Sequence, residues 1–135
     1  MLKSLLGAAL GGSLLLAAAP AFAQAQCSRA DLQKIVDAYI TAQTVGDVSK
    51  LPLGEWVQYT EQMDPSASMS TGMISKPEKV DFHRSLLDTT SCQTFTEAVI
   101  TDPAHPYVLG TALQARGGQV HAIDTLVTDK DDWLF

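Results

Sequence analysis

Two rhythms of apolar and polar residues run along the chain. From Ser28 onward, Leu32, Ile35, Val36, Tyr39 and Gln43 fall on one stripe, with Ile40 at its edge. That is the spacing of an amphipathic helix buried on one side. Ser28-Arg29-Ala30-Asp31 has the form of a capping box, and Gly46 follows the last turn as a helix stop. At about 100° per residue, Asp37 points away from the stripe and reads as a solvated carboxylate.

After the connector Leu51-Pro52-Leu53-Gly54 the rhythm changes to alternation. In Trp56–Glu61, Val57, Tyr59 and Glu61 share one face, while Trp56, Gln58 and Thr60 share the other. Met63–Lys79 keeps no rhythm. It mixes serines, Pro65, Pro77 and Gly72 with Met63, Met69 and Met73, which predicts a long loop or a loosely helical lid. Such a loop can cover an apolar ligand, although plain mobility is the simpler reading.

Strands are expected over Val80–Leu87 and Phe95–Thr101, with a turn at Pro103, His105 and Pro106. Tyr107–Ala115 and Val120–Thr128 flank Arg116-Gly117-Gly118-Gln119, a hairpin signal. Asp129–Asp132 is a polar turn, and Trp133-Leu134-Phe135 then opens an apolar stretch at which the chain stops, as in a truncated chain or a trimmed last strand. One helix followed by a meandering antiparallel sheet is an α+β domain, spanning residues 24–135.

The residues before it read as a secretory leader. Met1–Ala23 carries Lys3, an apolar run from Leu5 to Ala19, Pro20, and the small-x-small site Ala21-Phe22-Ala23. The run is short for a membrane span of about 20 residues. Gln26 before Cys27 is not a lipid-attachment context. Secretion is therefore expected (extracellular, or periplasmic in a bacterium), with no membrane association after cleavage.

Composition narrows the picture further. The chain of 135 residues is 46% hydrophobic and 18% charged, which excludes collagen, low-complexity fibres and acidic disordered tails. Its formal charge of −6 becomes one unit more negative when Lys3 leaves with the leader, and no basic tract is present to hold phosphates. Nucleic acid is not an expected partner. Two cysteines, Cys27 and Cys92, form an even count in an exported chain and predict a disulfide worth about 4 kcal/mol by chain entropy. No C-x-x-C pair exists and His83, His105 and His121 lack ligand spacing, so no metal is expected.

Several stretches carry a resemblance. Val36-Asp37-Ala38-Tyr39-Ile40, Tyr59-Thr60-Glu61, His83–Asp88, Cys92, His105–Thr111 and Asp132–Phe135 are similar to the nuclear transport factor 2-like superfamily, which includes SnoaL-like proteins. Within it they most resemble a largely uncharacterised group of secreted proteins of fungal type. The likeness covers nearly the whole mature chain, and those relatives continue past Asp-Trp-Leu-Phe. It implies a cone-like fold around a pocket for a small, mostly apolar, hydroxylated molecule. The implied chemistry is cofactor-free dehydration, isomerisation or lyase cleavage. The alternative is a non-catalytic ligand-binding or interaction module. Neither reading excludes a homodimer.

No motif with a dedicated mechanism is present: no nucleophile elbow, phosphate loop, H-E-x-x-H or dinucleotide fingerprint. The candidates are polar residues on apolar strands. If Val57 faces the cone, so do Tyr59, as a donor, and Glu61, as a base or ligand contact. Tyr39 is the second ligand-contact candidate. His83 and Arg84 must lie on opposite faces. His83 would act as acid/base, and Arg84, on the face of Val80, Phe82 and Leu86, would hold an anion. Asp124, in phase with Val120, Ala122 and Leu126, is expected as a buried carboxylate suited to act as the base in place of His83, and it and Arg84 would pair with each other, with Glu61 or with a ligand anion. Each of these residues also has a purely structural reading.

Overall fold

The computed structural model describes residues 27–132. The predicted leader and the apolar Trp133–Phe135 lie outside that range. Helix α1 covers Arg29–Val45, and five strands follow: β1 Leu53–Glu61, β2 Phe82–Asp88, β3 Gln93–Ile100, β4 Tyr107–Arg116 and β5 Gln119–Asp129. The helix ends are those the sequence indicates. The Ser28 hydroxyl accepts from Asp31 N at 3.1 Å and donates to the Asp31 carboxylate at 2.6 Å. Gly46 closes the last turn at φ 67°, a left-handed conformation that glycine adopts without strain.

The strands form one sheet in the order β1-β5-β4-β3-β2, with α1 packed on one face, an α+β fold. The expected antiparallel meander holds for β2 to β5. β1 departs from it and lies parallel to β5, so the sheet is mixed. Tight hairpins force antiparallel pairing only between neighbours in sequence. The chain leaving β1 instead runs through residues 62–81 from one edge strand to the opposite edge, where β2 begins. The Gly117-Gly118 turn between β4 and β5, with φ of 58° and 78°, is the expected hairpin. Leu53 and Gly54 belong to β1 rather than to a connector, and β3 starts at Gln93 and ends before Thr101.

The face under α1, here called the inner face, carries Thr94, Thr96 and Ala98 of β3, Leu109, Thr111 and Leu113 of β4, and Ile123 and Thr125 of β5, all buried. Against them pack Leu32, Ile35, Val36, Tyr39 and Ala42 of the helix. A register shift opposite Gln114/Ala115 places an extra residue, His121, in β5. This bulge changes the phase of the strand, so Val120 and Ile123 both face inward although they are three residues apart. The His121 ring lies over Gly54, where a Cβ would come within 2.5 Å of it.

Cys27 and Cys92 are joined by a disulfide, with 5.5 Å between their Cα atoms. It ties the start of α1 to the start of β3. Among the described residues no helix is long and apolar enough to cross a membrane.

Candidate functional site

Tyr59 and Glu61 do share the inner face of β1, opposite Ile123 and Thr125 of β5. The Tyr59 hydroxyl donates to a Glu61 carboxylate oxygen. The same oxygen accepts the main-chain N–H of Met73 at 2.6 Å. Met73 belongs to a 3₁₀ turn, Met73–Ser75, in the middle of the expected loop. That turn is a plug: Met73 and Ile74 are 1% and 2% exposed, and both stand inside the core. Gln43, from the stripe of α1, holds its other side by donating Nε2 to Met73 O at 3.0 Å and Lys76 O at 3.1 Å. Gly72 packs against the Tyr59 ring.

A second polar chain crosses the inner face. The Tyr39 hydroxyl and Thr111 Oγ1 are 2.7 Å apart, and Thr111 Oγ1 lies 3.1 Å from Thr125 Oγ1. Burial pushes the Tyr39 phenol up to about 12, partly offset by the Thr111 bond. Burial raises the Tyr59 phenol further, and the adjacent Glu61 carboxylate adds to the effect because it would repel a phenolate. Both tyrosines are therefore neutral hydrogen-bond donors at physiological pH.

The other sequence candidates do not join this site. Arg84 is on the outer face, exposed, and ion-paired to Glu97 of the neighbouring strand, with Nη2–Oε2 at 2.6 Å and Nε–Oε2 at 2.7 Å. Asp124 is exposed on the same outer face, opposite Ala112 and Thr60. The expected buried Arg84–Asp124 pair is absent: the row through Arg84 reaches β5 at Leu126, three strands away at about 4.8 Å per strand. Two physical causes account for the error. Phe82 and Leu86, which made the Arg84 face look internal, are 57% and 73% exposed. The bulge at His121 then put Asp124 out of phase with Val120. His83 shares the inner side with Ala98 but lies exposed on the edge strand, with no side-chain partner among the described residues.

Sequence reasoning missed Gln43 as the clamp of the plug, Met73 N as a donor, and the Thr111–Thr125 relay. A signal for the relay was present, since Thr111 interrupts the apolar alternation Leu109, Leu113, Ala115. Among the described residues no group of three or more His, Cys, Asp or Glu could hold a metal ion.

No family model matches the chain, and no curated protein matches it. Among solved structures it is similar to an NTF-2 like protein of unknown function from Burkholderia xenovorans LB400, at TM-score 0.49 and 15% identity over 77% of this chain and 86% of that one. It is also similar to a DUF4783 family protein from Bacteroides ovatus, at TM-score 0.46 and 16% identity over 73% of this chain and 99% of that one.

Proposed function

We propose that the protein is a secreted, cone-fold binder of a small, mostly apolar molecule carrying a hydroxyl or similar donor, taken up where the Met73–Ser75 plug now sits. The observation that carries this reading is the set of contacts the plug makes. Its main-chain N–H occupies the Glu61 carboxylate, and the side chains of Met73 and Ile74 fill the apolar space beside it. A ligand with one donor and an apolar body would make the same contacts. The plug belongs to a stretch with little regular structure, held in the core by the Glu61 and Gln43 side chains. The Cys27–Cys92 bridge supports an oxidising compartment.

Catalysis finds less support. Of the four catalytic candidates, Tyr59 alone stands in this site, next to Glu61; His83, Arg84 and Asp124 lie elsewhere. The protein thus reads as a binder first, and any proton transfer would fall to the Tyr59–Glu61 pair. Fluorescence titration with the neutral lipophilic amine N-phenyl-1-naphthylamine tests the reading. Saturable binding is expected, tighter in Ile74→Ala, where the plug holds less well, and weaker in Glu61→Gln. No binding by either the native protein or Ile74→Ala would sink it.

A further inference from the structure

A groove of about 280 Å³ lies on the outer face of the sheet, away from the helix and the plug. Its form follows from the strand register. Gln93, Gln114, Ala122 and Gln58 make one row across β3, β4, β5 and β1. Ala112, Asp124 and Thr60 belong to the next row. The two alanines are a low floor between taller polar walls. Strands about 4.8 Å apart put the Gln114 and Gln58 walls about 10 Å from each other, room for one flat ring. The bulge at His121 is what turns Ala122 and Asp124 outward, and bulges often re-aim side chains in this way at binding sites.

The chemistry of the walls is specific. Gln114 is fixed in place: its Nε2 donates to Ser91 O at 2.9 Å, and its Oε1 accepts from Gln93 Nε2 at 2.5 Å. Gln58, Thr60 and Asp124 spend no side-chain hydrogen bond or ion pair on other described residues. Amides both donate and accept, and a carboxylate accepts twice, which is the complement of adjacent hydroxyls. Among the described residues no lysine or arginine lines the groove, so no cationic side chain there would hold an anion. One carboxylate is too few ligands for a bare cation. Trp56, two residues before Gln58 on the same strand, does not line the groove but is 79% exposed and presents a flat apolar surface to solvent.

We infer that this groove binds a neutral saccharide, with the ring on the alanine floor, its hydroxyls on Gln58, Asp124 and the Gln93–Gln114 pair, and Trp56 flanking it. The site is separate from the plugged interior and does not depend on what that interior holds.

Nuclear magnetic resonance titration of the ¹⁵N-labelled protein with cellohexaose, chitohexaose and mannohexaose tests this. At least one of the three should shift the side-chain amide signals of Gln58, Gln93 and Gln114 and the Trp56 indole N–H saturably. Gln58→Ala and Asp124→Ala should each weaken that binding about tenfold, the scale of a lost hydrogen bond to a polar or charged partner, without changing the thermal melt. A sulfated heparin hexasaccharide should leave the same signals in place. The inference is overturned if none of the neutral sugars shifts them, if both variants bind as the native protein does, or if heparin shifts them equally. It is also overturned if they shift with protein concentration alone, because a second copy would then be covering the groove.

Discussion

The Gln62 side chain pairs with the main chain of Val127 as a strand would: its Nε2 donates to Val127 O at 2.7 Å and its Oε1 accepts Val127 N at 2.9 Å. β1 ends one residue earlier, and Gln62 itself turns away at φ 53°. Its amide thus extends the β1–β5 ladder past the point where the backbone leaves, and covers a sheet edge that would otherwise be open. Gln62→Ala should cost about 1–2 kcal/mol, the net worth of two such bonds. It should also speed hydrogen exchange at the Val127 amide far more than at Leu113. Denaturant melts and exchange rates check this; unchanged exchange at Val127 would show that the pair contributes nothing.

Buried threonines on the inner face should respond in opposite ways to the same substitution. Thr94 is 2% exposed and its Oγ1 has no hydrogen-bond partner among the described residues, whereas Thr111 Oγ1 is bonded to both Tyr39 and Thr125. A buried hydroxyl without a partner costs about 1–3 kcal/mol relative to an apolar group. Thr94→Val, nearly the same shape, should therefore stabilise the fold. Thr111→Val should destabilise it by a similar amount, because it strands the Tyr39 hydroxyl. Two melts of the same sign would contradict the assignment.

Ends, periods, the helical stripe and the inner face of β1 were legible in this sequence; the faces of β2 and β5 were not. Ser28, Gly46 and the Gly117-Gly118 turn act through local backbone chemistry, so their positions can be read from a few neighbours. The helical stripe was legible for the same reason, even to Gln43. Which side of β2 and β5 meets the helix is a tertiary fact, and two local events hid it. Phe82 and Leu86 are apolar yet exposed, and the bulge at His121 broke the two-residue period on which Asp124 was placed. The plug was hidden differently. Met73–Ser75 gains its burial from Glu61 and Gln43, residues 12 and 30 positions away, and nothing within the segment signals it.

The tyrosines set an alkaline limit to stability. Tyr39 is raised from 10.0 to about 12 by burial, so the folded state keeps a proton that the unfolded chain has lost. A folded pKa above the unfolded one stabilises fully below the unfolded value, and that stabilisation disappears as pH climbs to the folded value. Stability should hold up to about pH 10 and fall from there to about pH 12, with Tyr39 alone giving a slope of about 1.4 kcal/mol per pH unit. Tyr59, raised in the same direction, steepens the fall. Tyr39→Phe should flatten it. Denaturant melts at a series of pH values measure both, and equal slopes in the two proteins would refute the role of Tyr39.

Gly72 is the point at which the plug can be forced. Its backbone, at φ −72° and ψ 175°, is ordinary extended chain that alanine adopts freely. The obstacle is purely steric: a Cβ there would lie 2.3 Å from the Tyr59 hydroxyl and 2.8 Å from two of its ring carbons. Gly72→Ala must therefore move the turn away from Tyr59, or push Tyr59 away from Glu61, and either shift draws Met73 and Ile74 out of their places. The expected cost is about 1–3 kcal/mol, that of overpacking a filled core. Adding Tyr59→Phe removes the nearest atom, so the double variant should lose less than the sum of the two single losses. A third readout separates the plug from a passive loop. If the turn gates the interior, Gly72→Ala should raise the affinity for N-phenyl-1-naphthylamine even as it lowers the melting temperature. A variant that melts earlier and binds the probe no better would mean that Met73–Ser75 is simply part of the core.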